Sequence, residues 1–215
     1  MKRMGGTAVL AWGEMAVGAR RVQGTGCDKY GRWAALEVMG GGANQQPVVV
    51  VSVYKPPGGS QRQGGLLARM LALRGWQTGT WAARVRKAHK AFYEELGDCV
   101  RKWHAEGKSV VIAGDFNEEA VEGSPLRAWG ITLGLSDVYS IVGDRGGLRG
   151  ESATHWGGRG GRGRRIDHVW ASEQLAQGWV GSQGSMHTLC PAGIATDHRL
   201  LLVTGANWGN CSKPL

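Results

Sequence analysis

A chain of 215 residues is long enough to bury one ordinary core, and 42% apolar with 20% charged side chains excludes a disordered or fibrous polymer. No run approaches the ~20 apolar residues of a membrane span, and the short stretch Thr7–Trp12, hemmed by Gly5, Gly6 and Gly13, is too broken for a secretory signal. Lys and Arg outnumber Asp and Glu by 26 to 17, a surplus of +9 that favours a polyanionic partner, because each cation set on a phosphate releases a counterion.

Taken in chain order, Thr7–Trp12 and Arg32–Met39 read as strands joined by a polar loop. Pro47–Tyr54 is a β-branched run, the pattern of a strand covered on both faces. After a glycine-rich loop, Thr80 can cap a helix that reaches about Ala105. Within it Val85, Ala88, Phe92, Leu96, Cys99, Val100 and Trp103 fall at three- and four-residue steps and form one apolar stripe, and Glu106-Gly107 ends it. A second buried strand, Ser109–Ala113, follows, then a short helix and a turn over 118–143. A loop rich in Arg and Gly spans 144–164, a strand runs Arg165–Ser172, and a last strand runs His198–Thr204 before the tail 206–215. Early hairpins and a central strand–helix–strand unit predict one mixed α/β domain over 1–215, with no repeat and no internal boundary.

Gly114-Asp115-Phe116-Asn117 directly follows the strand 109–113, and continuing that strand points Asp115 and Asn117 the same way. A plain turn uses the same residue types. Asp167 opens an otherwise apolar strand, where a buried carboxylate needs a partner, and a histidine is a natural one. Six arginines, eight glycines and one acid lie between Arg145 and Arg165, a solvated tract that can also grip nucleic acid with little sequence preference. Cys27, Cys99, Cys190 and Cys211 form no spaced pair, and His187 with Cys190 is only half of a zinc site, so all four read as thiols in a reducing, intracellular setting. Gly107-Lys108-Ser109 leads into a strand and lacks the preceding glycine of a P-loop.

Together these segments resemble the endonuclease/exonuclease/phosphatase superfamily over roughly residues 5–205. Val53-Tyr54-Lys55-Pro56 is similar to its strand-end Tyr-X-Pro motif, and Gly114–Asn117 to its GDFN motif. Arg165-Ile166-Asp167-His168 resembles its R-I-D-Y motif with His in the Tyr place, and Thr196-Asp197-His198 its S-D-H motif with Thr in the Ser place. Ala153-Thr154-His155 ahead of a basic stretch gives the flavour of the endonuclease domain of LINE-type (non-LTR) retrotransposons.

The resemblance implies a four-layer α/β sandwich of the deoxyribonuclease-I type and a Mg²⁺- or Mn²⁺-dependent DNA endonuclease, monomeric and nuclear. It implies catalytic roles for Tyr54, Asp115, Asn117, Asp167 and His198, and metal ligands at Asp115 and Asp197. Arg159, Arg162, Arg164, Arg165 and Thr154 would contact nucleic acid. Family members begin with a strand bearing Asn and one ending in a metal-binding Glu, whereas Gly5–Leu10 resembles the strand after that Glu. The first one or two strands are therefore expected to be lacking, and activity weakened. Glu14, which follows the strand, takes no assigned role. A phosphatase of the same superfamily and a catalytically inactive nucleic-acid-binding remnant remain the alternatives.

Overall fold

A computed structural model describes residues 7–39, 46–58, 65–142, 153–156, 162–181, 185–189, 198 and 200–204. Helix α1 (Glu14–Val17) and strand β1 (Ala19–Arg21) lead to β2 (Trp33–Met39) and β3 (Pro47–Tyr54). Helices α2 (Leu66–Leu73) and α3 (Trp81–Ala105) carry the chain to β4 (Ser109–Asp115), α4 (Pro125–Thr132), β5 (Leu135–Asp137) and α5 (Val138–Val142). Then come β6 (His155–Trp156), β7 (Gly163–Arg164), β8 (Asp167–Ser172), α6 (Glu173–Gly181), β9 (Ser185–Leu189) and β10 (Leu200–Thr204).

Six strands form one sheet in the order β1-β2-β3-β4-β8-β5. Only β3 and β4 pair in parallel among the described strands, as the long α2–α3 crossover between them requires. Helix α3 lies on one face because its stripe needs a partner: Phe92, Leu96, Val100 and Trp103 pack on Trp33, Val49, Val51, Val53, Val110 and Ile112. The other face, with Val48, Val111, Val169 and Ala171, is covered by Leu175, Ala176 and Trp179 of α6 and by the antiparallel β9–β10 hairpin through Met186, Leu201 and Val203. Burial on both sides explains why β3 and β4 are apolar almost without a break. Helix α4 approaches β8 closely enough that a Cβ added at Gly130 would lie 2.4 Å from the Trp170 ring.

The expected α/β layering is present. Thr80 caps α3, its hydroxyl accepting from the Ala83 amide, and Gly107 turns the chain out at φ 74°. Other expectations need correction. Thr7–Trp12 is not a strand: no described strand pairs with it, so no ladder forms, and Leu10 and Trp12 are each 80% exposed. Helices α1, α2 and α6 and strands β1 and β9 appear where no regular element was expected. The Arg/Gly tract is not loop throughout, since β6 and β7 pair as a small antiparallel ladder at its C-terminal part. The strand expected from Arg165 begins at Asp167, and the one expected from His198 begins at Leu200, with His198 forming an isolated bridge to His155.

Candidate active site

Three strand ends build the site. In the register of the sheet, Tyr54 of β3 lies beside Asp115 of β4, which lies beside Asp167 of β8. Cross-strand partners share a face, and alternation along each strand fixes which one. Val169 and Ala171 mark the β9–β10 face, so Asp167 two residues earlier joins it, as does Asp115 opposite. A row of one phenol and two carboxylates therefore ends an apolar surface on the side where His198 enters. The ring of His198 completes the group: its Nδ1–H donates to Asp167 Oδ2 at 2.9 Å.

Asp115 and Asn117 do meet, but not by strand alternation. Asn117 takes φ 49°, a left-handed conformation that costs about 1–3 kcal/mol for a residue with a side chain. The resulting Asx turn lets the Asn117 amide donate to Asp115 Oδ1 at 2.8 Å while its Nδ2 donates to Oδ2 at 2.9 Å and to the Lys55 carbonyl at 2.8 Å. Gly114 is required just before it: φ is 144°, and a Cβ there would stand 2.1 Å from the Val53 carbonyl oxygen.

Burial pushes the Asp115 carboxyl above its usual range; the Asn117 amide opposes the shift, the Asp167 charge adds to it, and His198 and His155 oppose it. Burial, with the charge of Asp115, also raises the Tyr54 phenol, which keeps its proton and stays a donor. Ligand atoms of Asp115, Asp167 and His198 all lie within 4.8 Å of one another. The two carboxylates fit a hard divalent cation, whose charge would offset the burial of Asp115 and the nearby charge of Asp167.

Asp197 and Arg159 lie outside the described residues. Arg162 is exposed, and Arg164, half-exposed, donates to Glu119 at 3.1 Å. Two residues expected to contact nucleic acid make internal bonds. Thr154 is fully buried, and its Oγ1 accepts from the Ile166 and Asp167 amides at 3.1 and 3.0 Å, so it holds the entrance of β8. Arg165 is committed inward by two bonds to Asp137, at 3.0 and 2.6 Å, and lies over the Tyr139 ring. Glu37, an acid with metal-ligand chemistry, sits towards the other end of β2 and is tied to Lys108 at 2.7 Å.

Sequence reasoning missed three neighbours of the site. The His155 ring lies 4.8 Å from that of His198. His168 is fully buried on the opposite face, where its Nε2–H donates to the Glu118 carbonyl at 2.8 Å and, among the described residues, Nδ1 has no hydrogen-bond partner. Burial and the Arg165 charge lower it to about 4, so it is neutral. Lys55, 2% exposed, pairs with Glu118.

A mixed α/β sandwich that gathers paired carboxylates and a carboxylate-bound histidine at one end of its sheet has the donor groups of a divalent-cation site. Residues 31–198 match the model of the Endonuclease/Exonuclease/phosphatase family, and the chain belongs to that family. No curated protein matches the chain by sequence. The fold is similar to that of a 3'-5' exonuclease (NExo) from Neisseria meningitidis, with TM-score 0.51 and 18% identity, covering 81% of this chain and 65% of that one. A Neisseria 3' phosphatase NExo variant bound to product DNA hairpin gives TM-score 0.49 at 16% identity, covering 80% and 64%. The endonuclease domain of TRAS1, a telomere-specific non-LTR retrotransposon, gives 0.48 at 12%, covering 83% and 65%. The chain thus spans less than two thirds of the length of these structures. Among the described residues no helix is long and apolar enough to cross a membrane.

Proposed function

We propose that this chain is a divalent-metal-dependent phosphodiesterase that nicks DNA, acting as a monomer on nuclear DNA as a retroelement-derived domain. The observation that carries the reading is the row Tyr54–Asp115–Asp167 with His198 donating to Asp167. A phosphodiester repels nucleophiles by its own charge, so its hydrolysis needs positive charge on the phosphate, an oriented water and a stabilised leaving oxygen. Mg²⁺ or Mn²⁺, held by Asp115 and Asp167 with His198 beside them and Asp197 next in the chain, would supply the positive charge.

The remaining work falls to the chain itself. A carboxylate offers about four lone-pair sites, and Asn117 occupies two on Asp115, which leaves the others for the cation and the attacking water. Asp115, placed beside both, takes the proton of that water. Asp167 fixes the proton of His198 on Nδ1 and strengthens the ring as a donor when protonated, so its Nε2 can bond a phosphate oxygen. The Tyr54 hydroxyl donates to the same phosphate. Arg162 and Arg164, with Arg159, supply cationic contacts to the DNA backbone, in keeping with a net charge of +9.

Conversion of supercoiled plasmid to open circles, with and without EDTA, tests the proposal. Nicking should stop on chelation and fall at least about a hundredfold in Asp115→Ala and in His198→Ala. Activity that survives EDTA, or persists in both variants, would sink it. Release of phosphate from a small monoester with no nicking would transfer the assignment to a phosphatase, and DNA binding without either to an inactive remnant.

A further inference from the structure

Where β3 and β4 leave the sheet, their next residues remain linked. The Lys55 amide donates to the Asp115 carbonyl at 2.8 Å, and Asn117 Nδ2 donates back to the Lys55 carbonyl. Lys55 follows Tyr54 and Glu118 follows Asn117, so the two residues flank the site's two strand ends. Their side chains meet beneath it, with Lys55 Nζ 2.9 Å from Glu118 Oε2.

Glu118 is fully engaged. Oε2 also accepts from the Tyr93 hydroxyl of α3 at 2.8 Å, and Oε1 from the Leu126 amide of α4 at 3.0 Å. Its main-chain oxygen takes the His168 bond from β8. Glu118 thus ties the turn after β4 to the end of β3 and to two helices by its carboxylate, and to the strand that carries Asp167 by its main chain. Burial opposes ionisation of Glu118, yet the Lys55 bond and charge, the Tyr93 hydroxyl and the Leu126 amide outweigh it and hold the carboxyl below its usual range. A buried ion pair of this kind adds little net stability over an apolar pair of the same volume. What it does is select one geometry. Asn117, immediately before Glu118, holds a left-handed conformation that the chain would leave if it were not fixed.

We propose that the Lys55–Glu118 pair is a positioning device, which locks the Asn117 turn and through it aims the Asp115 carboxylate at the phosphate beside Tyr54. The proposal rests on the phosphodiesterase reading above. Neither residue touches substrate. Each acts through Asn117.

The test uses the full chain with Lys55→Met and Glu118→Gln combined, so that no charge is left buried alone. With plasmid as substrate, kcat should fall about tenfold or more while KM stays within about twofold, since a misaimed group affects the reacting step and not the grip on DNA. A second arm needs no activity: amide hydrogen exchange by NMR. The Asn117 amide, bonded to Asp115, should exchange at least about tenfold faster in the double variant, while the core amide of Ile112 holds its rate. A double variant with parental kcat or parental Asn117 exchange would overturn the proposal. Absence of nicking in the parent chain would count against the phosphodiesterase reading alone, and the exchange arm would then decide this one.

Discussion

His198 donates its Nδ1–H to Asp167 Oδ2 at 2.9 Å across 31 residues of chain, and the His155 ring packs 4.8 Å from it. The carboxylate settles which ring nitrogen carries the proton and which way the imidazole faces. Asp167→Asn keeps the shape but lacks the charge, and its amide can present a donor to Nδ1. Plasmid nicking should drop about a hundredfold with DNA affinity unchanged, measured by nicking kinetics and by binding in EDTA.

Thr154 should matter for stability and not for DNA contact. Its hydroxyl oxygen accepts from two backbone amides at the start of β8, and Thr154→Val would leave both without that acceptor. Urea unfolding should show a loss of about 1–3 kcal/mol with an unchanged denaturant slope, and Thr154→Ser should recover most of it.

The fold should weaken in mild acid, and His168 is one identifiable reason. Its pKa is lowered from the ordinary 6.5 to about 4 by burial first and by the Arg165 charge second. The unfolded chain therefore takes up a proton between those values that the folded chain refuses. Stability is full above about 6.5 and falls as pH drops towards about 4. Between about pH 7 and about pH 5 the His168 share is on the order of 2 kcal/mol. Urea melts of His168→Phe should lose less stability over that interval by this amount.

The arginines of the basic tract should separate by role. Replacing Arg159, Arg162 and Arg164 with Ala should weaken DNA binding alike for all sequences and flatten its salt dependence by up to about three counterions. Arg165→Ala should instead lower thermal stability, because it leaves Asp137, only 9% exposed, without its paired cation. An unchanged salt slope in the triple variant would show that the tract does not touch phosphate.

Much of this was readable from the chain because period and chemistry agreed. The α3 stripe from Ala88 to Trp103 and the nearly continuous apolar run of β3 each have a single sensible burial, and both form as expected. Asp115, Asn117, Asp167 and His198 stood out as polar residues at strand ends, and the fold gathers them. Helix α2 was hidden because Gly65, its first flanking residue, offers no side-chain cap and a glycine-rich run precedes it. Thr7–Trp12 has a strand's composition, yet pairing is a property of two segments and no pattern in one reveals it. Lys55 was invisible for the same reason. A lysine is expected at the surface, and its partner Glu118 lies 63 residues away. Asn117 misled differently: strand alternation already placed it beside Asp115, and the turn that does so could not be told from the alternation.

Gly130 and Trp170 make one steric choice between them. Helix α4 can lie against β8 only because the glycine yields the volume that the indole takes, 2.4 Å from where a methyl would stand. Drift at either position is therefore conditional on the other: Gly130→Ala is tolerable only once residue 170 has shrunk, and a smaller residue at 170 opens a void that a side chain at 130 can refill. Trp170 is three residues from Asp167 on the same strand, so a mismatch here tilts a carboxylate of the site from beneath. In descendants of this chain the two positions should be exchanged as a pair, and libraries that vary α4 alone will return folded chains with a displaced β8.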